Sequence, residues 1–477
     1  MKKMNLLVMS LVSAAALSFS SCSSNDDLTG GAGNQSKVEG FYMTLAVQTP
    51  TSNGTRTKQQ TEKVDATAEE SKVTSGTFYL VDPNGEIVFT KTISETEWKN
   101  AAPVLTTAGK TQIQVPVQNV KEKVTYKVYF LANTTDAKPW ESTYTAETGF
   151  AGTYATDNTF AMFNQNDKSS KADQYTVTFK TENKEIGNPA KVSETIKLDR
   201  VTARIDKPTS DATTINGTVP EGASELQKKA VADAKEKVKS INLTNYAITN
   251  LSNKTNIMQQ WDATWASLQI PTGSIEYIQP KDGLGDKYSI SNAGWFANAE
   301  KNYVFENTAT TPTTMYFEYT VTLDETKFSD TPDCTDGTFY RYNGNIYRSI
   351  DAIYTAYADQ TFLFGGKSAE DLKAELKITE GKIGATETEL AKFREDNVIE
   401  VFRAGKTYYK QEIIDKWLTT KTIQRNTVYK LNVKNIFNVG ADVPNGDPDD
   451  NKPMYYLEVE VSVNPWVLSA QDVNLGE

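Results

Sequence analysis

The chain of 477 residues contains no histidine, and this absence removes several classes of active site. Serine-histidine and cysteine-histidine catalysis, imidazole metal ligands and histidine general bases are all excluded. Two cysteines are too few for a disulfide framework or a cysteine-rich zinc site. Lys and Arg number 50 against 61 Asp and Glu, so the formal net charge is −11 and the basic surface of a nucleic-acid binder is not expected.

The chain does contain an ordinary share of apolar residues. Hydrophobic residues make up 38% of the sequence and aromatic residues 10%, which is enough to form hydrophobic cores. A chain of this length usually forms two or three domains. Beyond the N-terminal segment, no stretch is apolar for the roughly 18 consecutive residues that a membrane-spanning helix needs.

Residues 1–22 have the pattern of a bacterial export signal. Two lysines precede the apolar segment Leu6–Ala16, which is too short to span a membrane. The run Leu17–Cys22 (LSFSSC) resembles a lipobox, in which the cysteine is acylated and becomes the new N-terminus. Cys22 is therefore the predicted lipidation site, and acyl chains there would hold the protein on a membrane. The alternative is a plain secretory signal with an incidental cysteine.

Acylation of Cys22 would leave Cys334 as a lone thiol. A lone cysteine in an exported protein is usually a buried apolar residue, and a reactive thiol needs a neighbouring base or positive charge. We therefore expect Cys334 to be buried.

The first half of the chain has the pattern of a β-sandwich. Short runs of β-branched and aromatic residues alternate with turns rich in Asn, Gly, Pro and Ser. In Asp82–Gly85 (DPNG) the proline presets φ and the glycine accepts a positive φ, so a hairpin is predicted. The predicted strands are Val38–Val47, Thr77–Val81, Glu86–Thr90, Thr111–Val117, Val124–Leu131, Tyr175–Lys180 and Glu194–Ile205.

The composition changes after Lys207. A domain boundary is predicted at Asp206–Thr213, where Pro208 interrupts a strand. The segment Glu221–Ser240 is predicted to be a helix. Further predicted helices, expected to be charged, solvated decoration, are Ala369–Ile378, Ala385–Phe393 and Gln411–Thr420. Predicted strands between them are Ile241–Leu251, Asn302–Glu306 and Thr314–Leu323.

The C-terminal segment carries strong strand signals. Arg425–Ile436 has one apolar side, and apolar and polar residues alternate along Met454–Val463 (MYYLEVEVSV). The following Asn464–Trp466 (NPW) is predicted to break this strand, because its proline cannot donate a backbone hydrogen bond. That leaves residues 467–477 as a second β-capable tail without an obvious partner. A final edge strand or a frayed terminus is the alternative.

These motifs together resemble the fimbrillins, the type V pilin subunits of Bacteroidales. The features that carry the likeness are the lipobox ending at Cys22, the segment Phe41–Leu45 followed by a polar stretch with one arginine (TSNGTRTKQQ), the segment Val201–Ile205 (VTARI), and the C-terminal pair QRNTVYKLNVKNIFNVG and YLEVEVSVNPWVLSAQDVNL. The C-terminal pair is the most specific of the four. The likeness spans nearly the whole chain, with a looser match over 210–420.

The resemblance implies a mainly β fold of two tandem transthyretin-like β-sandwich domains, with a few helical insertions in the second. The implied parts are a lipoprotein signal peptide (1–22), a propeptide with a removable first strand (23–56), an N-terminal β-sandwich (57–207), a C-terminal β-sandwich with helical insertions (208–463) and a donor-strand tail (464–477).

The resemblance also implies a maturation step. Family subunits reach the outer membrane as lipoproteins and are then cut by an Arg-specific protease. Carried over to this chain, the lipid is on Cys22 and the cut falls between Arg56 and Thr57. The surrounding TSNGTRTK is polar and contains a glycine, as an exposed, cleavable loop requires. Removal of the strand Val38–Val47 would open a groove with unpaired edges.

Assembly by donor-strand exchange is implied next. The C-terminal tail of a neighbouring subunit would fill the groove by strand addition, and this head-to-tail contact would propagate an open filament. The implied donor residues are Trp466, Val467, Leu468, Val473 and Leu475. The implied partners are other copies, accessory fimbrial subunits, the protease, and the outer membrane before maturation, with the mature protein in an extracellular fimbria that supports adhesion.

Other interpretations stay open. The chain is alternatively an accessory or tip adhesin, or a surface glycan-binding lipoprotein with aromatic residues that stack on sugars. The aromatic candidates, which more often belong to a core, are Trp261, Trp265, Trp295 and Phe296. An enzyme is not expected, because only scattered carboxylates are available for acid–base chemistry. No cofactor is expected either.

A metal site is not predicted. The acidic cluster Asp447, Asp449 and Asp450 lies in a Pro/Gly/Asp loop and is the one candidate for calcium. Its spacing differs from that of an EF-hand, so a solvated loop is expected.

Overall fold

The fold is known from a computed structural model. It describes residues 40–50, 64–100, 102–103, 110–147, 150–168, 170–219, 221–271, 275–276, 300–308, 312–415, 418, 420–444 and 457–468. From Gly40 onward these belong to one compact unit. The architecture is mainly β, which confirms the predicted fold class.

The first half of the chain consists of short strands and two short helices, α1 (Ala68–Ser71) and α2 (Glu95–Lys99). The strands are β1 (Phe41–Gln48), β2 (Val64–Ala66), β3 (Gly76–Val81), β4 (Ile87–Ile93), β5 (Ala102–Pro103), β6 (Lys110–Val117), β7 (Thr125–Ala132), β8 (Thr143–Thr145), β9 (Met162–Asn164), β10 (Thr176–Thr178), β11 (Ala190–Lys191), β12 (Ile196–Arg200), β13 (Ala203–Asp206) and β14 (Thr209–Ser210).

The second half mixes longer strands with four helices, α3 (Glu225–Lys237), α4 (Ile350–Ala356), α5 (Ala369–Leu376) and α6 (Glu387–Asn397). The strands are β15 (Val238–Thr249), β16 (Leu251–Ser252), β17 (Lys254–Asn256), β18 (Gln260–Trp261), β19 (Leu268–Gln269), β20 (Ile275–Glu276), β21 (Lys301–Val304), β22 (Thr314–Leu323), β23 (Phe339–Tyr342), β24 (Asn345–Tyr347), β25 (Ile378–Thr379), β26 (Lys382–Ile383), β27 (Glu400–Phe402), β28 (Lys406–Glu412), β29 (Thr427–Ile436) and β30 (Leu457–Leu468).

The N-terminal strands form a sheet that folds over its own core. Its strand order is β4-β3-β7-β9-β12-β1-β6-β5, with β10 on β7 and β11 on β1. β12 pairs through Ile196 and Lys197 with β1, and through its later residues with β9, so it joins the two parts of the sheet. The core between them includes Met43, Leu45, Phe78, Val128, Phe130 and Leu198.

A second core lies under the C-terminal strands. One sheet has the order β2-β30-β29-β13-β21, with β14 on β29, and another has the order β15-β22-β28. Their side chains form a separate cluster that includes Ala203, Ile205, Ile248, Phe317, Tyr429 and Leu431. The two cores meet near Thr202, since Val201 belongs to the first and Ala203 to the second. The domain bounds predicted from the sequence stay predictions, because one compact unit holds both cores.

Residues 324–405, here called the insertion, connect β22 to β28 and have a third core. The small sheet β24-β23-β27 packs with α4, α5 and α6. Helices α5 and α6 bury Leu372, Leu376, Leu390 and Phe393, so they are structural and not mere solvated decoration. Cys334 is 3% exposed in the same core, as expected, and burial raises the pKa of its thiol to about 11.

Local sequence explains where many elements begin and end. The predicted turn at Asp82–Gly85 forms: Asp82 Oδ1 accepts from the backbone N–H groups of Asn84 and Glu86 at 2.9 Å, and Gly85 has φ +87°. Helix α3 begins with a capping box in which Ser224 and Gln227 exchange side-chain-to-backbone hydrogen bonds.

Two predictions at the C-terminal side are wrong. Gln411 and Glu412 end strand β28, and Asp415 pairs with Thr420 in an isolated bridge, so no helix spans the described part of 411–420. The predicted break at Asn464–Trp466 is also absent, because β30 runs through it to Leu468. A proline removes only the hydrogen bond that its own nitrogen would donate. The pairing with β29 ends at Pro465, but the strand continues because residues 466–468 pair with β2.

The insertion core gives a stability prediction. Leu390→Ala removes a side chain that is 0% exposed and leaves a cavity, so unfolding should become easier by about 2–5 kcal/mol. Urea denaturation of the full chain measures this loss. Glu395→Ala, at an exposed position of the same helix, is the matched control and should change the stability by less than about 0.5 kcal/mol. Equal effects of the two substitutions would contradict a packed insertion core.

Candidate functional site

Strand β1 is an internal strand of the N-terminal sheet. Along its whole length it pairs with β6 in antiparallel register, from Phe41 opposite Val117 to Gln48 opposite Lys110. Its other edge pairs in parallel with β11, at Met43 and Thr44, and with β12, at Val47 and Gln48. Removal of β1 would therefore expose two strand edges that face each other across one strand width.

One face of β1 is embedded in the core. Its inward side chains are 0–7% exposed, and they are Phe41, Met43, Leu45 and Val47. The ring of Phe41 lies 5.3 Å from that of Phe179, and Lys184 Nζ lies 5.2 Å from the Phe41 centroid. Full burial of each such side chain stabilises the fold by about 1.5–3 kcal/mol. A groove left by β1 would thus be lined by apolar pockets as well as unpaired backbone groups.

The next strand along the chain, β2, belongs to the C-terminal sheet. Its three residues pair in parallel with the end of β30, Val64 opposite Trp466, Asp65 opposite Val467 and Ala66 opposite Leu468. The other edge of β30 pairs with β29, from Thr427 opposite Pro465 to Ile436 opposite Leu457. The last strand is therefore held by partners of its own chain on both edges near its end.

A buried carboxylate fixes the segment that follows β2. Glu70 of α1 is 0% exposed. Arg204 Nη1 donates to both of its carboxylate oxygens at 3.0 Å, Lys301 Nζ donates at 2.8 Å and Tyr303 Oη at 2.7 Å. The Thr67 backbone N–H also donates to it at 2.9 Å. Burial alone would raise the pKa of Glu70, but these donors outweigh it and lower the pKa to about 2.

A second arginine joins the same segment to both cores. Arg200 is fully buried; its Nε donates to the Glu70 carbonyl at 2.7 Å and its Nη2 to Ser71 Oγ at 2.9 Å. Arg200 Nη1 donates to Asn426 Oδ1 at 2.8 Å, and Asn426 Nδ2 donates to Asp199 Oδ1 at 2.9 Å. The start of β29 and the end of β12 are thus tied to α1. We call Glu70, Arg200, Arg204, Lys301, Tyr303 and Asn426 the buried polar cluster.

The structure brings together only some of the residues predicted from the sequence. Trp466, Val467 and Leu468 lie in β30 beside β2. The following predicted residues lie outside the described part of the chain: Cys22, Arg56, Thr57, Val473, Leu475, the calcium candidates Asp447, Asp449 and Asp450, and the aromatic residues Trp295 and Phe296.

Trp261 and Trp265 are half-buried. Trp261 Nε1 donates to the Asn166 carbonyl at 2.8 Å, and Lys171 Nζ lies 5.4 Å from the Trp265 ring. These contacts occupy the polar edge of one indole and a face of the other, which is the packing role that such residues usually have.

The buried polar cluster was not predicted from the sequence. Thr67 and Glu70 form a capping box, and the spacing T-x-x-E is a known helix-start signal that would have located α1. Nothing in the sequence pairs Glu70 with Arg204 or Tyr303, which lie 134 and 233 residues further along the chain. No group of three or more acidic or cysteine side chains in the described residues is placed to hold a metal ion. No helix in the same residues is long and apolar enough to cross a membrane.

The cluster predicts an acid-sensitive stability. In the folded state the pKa of Glu70 is about 2, below its ordinary value of 4.5. Its contribution is therefore complete above about pH 4.5 and is lost as the pH falls towards 2. Glu70→Gln should cost about 3–5 kcal/mol at pH 7, because Arg204 and Lys301 lose their buried partner. The cost should shrink at pH 3. Urea unfolding at both pH values measures it.

Glu69→Gln is the control for this prediction, because Glu69 is exposed beside Glu70 on the same helix. It should leave the stability nearly unchanged at both pH values. A Glu70→Gln protein that unfolds like the wild type at pH 7 would contradict the role assigned to the carboxylate.

Comparison with known proteins bears on the C-terminal strands. Residues 400–472 match the family model described as "Major fimbrial subunit protein type IV, Fimbrillin, C-terminal". A sequence search of curated proteins gave no match. Among solved structures, the chain is similar to a fimbrilin from Porphyromonas gingivalis W83, with 15% identity, coverage of 90% of this chain and 98% of the other, and a TM-score of 0.44.

A candidate cell adhesion protein from Parabacteroides distasonis ATCC 8503 is similar at 13% identity, over 90% of this chain and 98% of the other, with a TM-score of 0.43. A candidate cell adhesion protein from Bacteroides eggerthii DSM 20697 is similar at 13% identity, over 91% and 98% of the two chains, with a TM-score of 0.40. The family model spans β27 to β30 and ends shortly after Leu468. Residues 400–472 are of the fimbrillin C-terminal type, and the resemblance to fimbrillins predicted from the sequence is confirmed.

Proposed function

We propose that the chain is a structural subunit of a cell-surface fimbria that supports adhesion. It is exported as a lipoprotein acylated at Cys22, reaches the outer membrane, and is cut after Arg56 by an Arg-specific protease. The mature subunit, beginning at Thr57, then assembles with copies of itself and with accessory subunits by donor-strand exchange. The fimbrillin match over residues 400–472 supports the class of protein, and the position of β1 supports the route of assembly.

The observation that carries the proposal is that β1 and β2 lie in different sheets, on either side of Arg56. β1 is an internal strand of the N-terminal sheet, whereas β2 pairs with β30 in the C-terminal sheet. A cut after Arg56 would leave β1 without a covalent link to the rest of the chain. The segment beyond the cut would stay in place, because Glu70 and Ser71 are bound by the buried polar cluster.

The vacated site would demand a specific replacement. It would need hydrogen bonds on two edges, antiparallel to β6 and parallel to β12, and apolar side chains at every second position. A strand from another subunit satisfies all three needs, whereas water satisfies only the backbone groups. The donor tail and the groove are different parts of the subunit. Each subunit would therefore accept one strand in its groove and donate its own strand to the next subunit, which propagates a filament.

The donor end is constrained by its own chain. Trp466, Val467 and Leu468 are already paired with β2, directly after the residues of β30 that pair with β29. Their use as donor residues would require release from Val64–Ala66. Val473 and Leu475 come later in the sequence, outside the described residues. Donation by Trp466–Leu468 and donation by the residues after Leu468 predict different polymerisation when β30 is covalently fixed to β2.

The alternative is an accessory or tip adhesin, or a glycan-binding lipoprotein. The half-buried position of Trp261 and its hydrogen bond to Asn166 give less support to sugar stacking there. A tip subunit would accept a strand and offer none, so assembly separates it from a stalk subunit.

Proteolysis tests the maturation step. The soluble precursor without residues 1–22 should be cut by an arginine-specific protease to give Thr57 as the new N-terminus, followed by SDS-resistant ladders and filaments in negative stain. Arg56→Lys keeps the charge but removes the recognised residue, so it should stay uncut and monomeric. Intact mass and N-terminal sequencing identify the product.

Deletion of residues 469–477 leaves β30 whole and should abolish the filaments if the donor lies there. A protein that is cut after Arg56 but remains monomeric would support the tip alternative. Absence of cutting at Arg56 in the native protein would rule out this route of maturation.

A disulfide between β2 and β30 tests the donor register. Asp65 and Val467 are register partners, so Asp65→Cys with Val467→Cys should form a disulfide across the two strands. If Trp466–Leu468 enter the neighbouring groove, the oxidised, protease-treated protein should remain monomeric and polymerise on reduction. Polymerisation that is the same before and after reduction would place the donor beyond Leu468.

The matched control joins a strand pair that does not take part. Thr77 and Thr92 are register partners in the β3–β4 hairpin, with their hydroxyl oxygens 3.0 Å apart. Thr77→Cys with Thr92→Cys should polymerise equally in the oxidised and reduced states. Cys334 does not interfere, because burial raises the pKa of its thiol to about 11.

A further inference from the structure

The insertion presents two apolar side chains to solvent. Phe362 is 82% exposed and Val398 is 63% exposed, the highest values for large hydrophobic residues in the described part of the chain. Phe362 follows four exposed residues, 358–361, in the loop between α4 and α5. Val398 follows the last residue of α6. Neither side chain contributes to the insertion core, so core packing does not explain their presence.

The backbone is unfavourable for the residue that it carries at Val398 and at Phe364, which lies two residues after Phe362. Val398 has φ +53° and ψ +28° at the C-terminal cap of α6, a position where glycine is usual and a β-branched residue is strained. Two residues after Phe362, Phe364 has φ +53° and ψ +37°. Residues with unfavourable backbone angles cluster at functional sites, because at other positions a glycine would relieve the strain.

The loop that carries Phe362 is held rigidly. Leu363 is buried, and the ring of Phe364 lies 5.1 Å from that of Tyr342 and 5.6 Å from that of Tyr354. Tyr354 Oη donates to the Lys367 carbonyl at 2.6 Å. A phenylalanine exposed on a fixed loop loses little freedom when it enters a partner's pocket, as an interface anchor requires.

Polar contacts connect the loop that carries Phe362 to the last residue of α6, which precedes Val398. Lys367 Nζ is 2.7 Å from Glu375 Oε1 and 3.2 Å from Asn397 Oδ1. Asn397 Nδ2 in turn donates to Glu375 Oε2 at 3.3 Å. This triad joins the loop after Phe362 to the residue just before Val398.

Charge around these residues selects the partner. Exposed carboxylates stand three residues before each anchor, Asp359 before Phe362 and Glu395 before Val398. Acidic residues outnumber basic ones across the insertion, and the whole chain carries −11. A second copy would bring like charge to these carboxylates, whereas a cationic partner would be attracted.

We propose that Phe362 and Val398 anchor a docking surface for a basic polypeptide segment with apolar side chains. Phe362 enters an apolar pocket of the partner, and Val398 packs against an apolar side chain of the same partner. The carboxylates of Asp359 and Glu395 attract the partner's lysine or arginine residues. This inference does not depend on maturation or donor-strand exchange, since the surface belongs to the insertion and is distant in sequence from β1.

The test uses fluorescence anisotropy of labelled peptides with the full soluble chain. The probes are an amphipathic helix of leucine and lysine and its leucine and glutamate counterpart. The lysine peptide should bind and the glutamate peptide should not. Phe362→Ser and Val398→Gly should each weaken binding by about tenfold or more. Leu226→Ser, at a 46% exposed leucine of α3, is the matched control and should bind as the wild type does.

Val398→Gly separates binding from folding, because glycine relieves the positive φ. Its melting temperature should be equal to or above that of the wild type while its binding is lost. If all variants bind the lysine peptide equally, the binding is due to net charge alone and the proposal is overturned. Self-association of the wild type that is lost in Phe362→Ser would show that the surface binds a second copy, and this would overturn the proposal. Binding of a neutral oligosaccharide, without peptide binding, that is lost in Phe362→Ser would show a glycan site and would overturn the proposal as well.

Discussion

The buried carboxylate of Glu70 is the constraint on which the arrangement of the termini depends. A charge without solvent is tolerated only when several donors surround it, and here Arg204, Lys301 and Tyr303 converge on it from the C-terminal sheet. Arg200 reaches the same helix from β12, at the end of the N-terminal sheet. The short helix α1 is thereby fixed to both cores, and with it β2 and the end of β30.

This arrangement gives the two strands near the N-terminus different kinds of attachment. β1 is held by strand pairing and by apolar packing of residues such as Met43 and Leu45. Another strand can supply both contributions. Backbone hydrogen bonds and apolar pockets require an alternation of apolar residues more than they require particular residues. β2 is followed by α1, whose Glu70 and Ser71 are bound by specific hydrogen bonds of the buried polar cluster. The proposed exchange of β1 and retention of β2 follow from that difference.

Much of the secondary structure was predictable from local sequence. The strand Thr314–Leu323 has the bounds that its alternation indicates, and α3 lies within the segment predicted as helical. The misassigned segment 411–420 has a mixed pattern, and the pairing of β28 with β22 decided its first residues. The predicted donor residues could be placed in β30 only once its partners were known. Their role was carried by the family resemblance and not by the residues alone.

The sequence by itself determined many of the strands, turns and helices, because periodicity, caps and turn residues act over a few positions, as at Asp82–Gly85. It also determined the resemblance to fimbrillins. Only the tertiary structure decided that β1 is internal, that β30 continues past Pro465 beside β2, and that Glu70 is buried among cations. These features depend on contacts between residues far apart in the chain. Only after those contacts form is a charge or a strand edge buried, and burial then sets its free-energy cost.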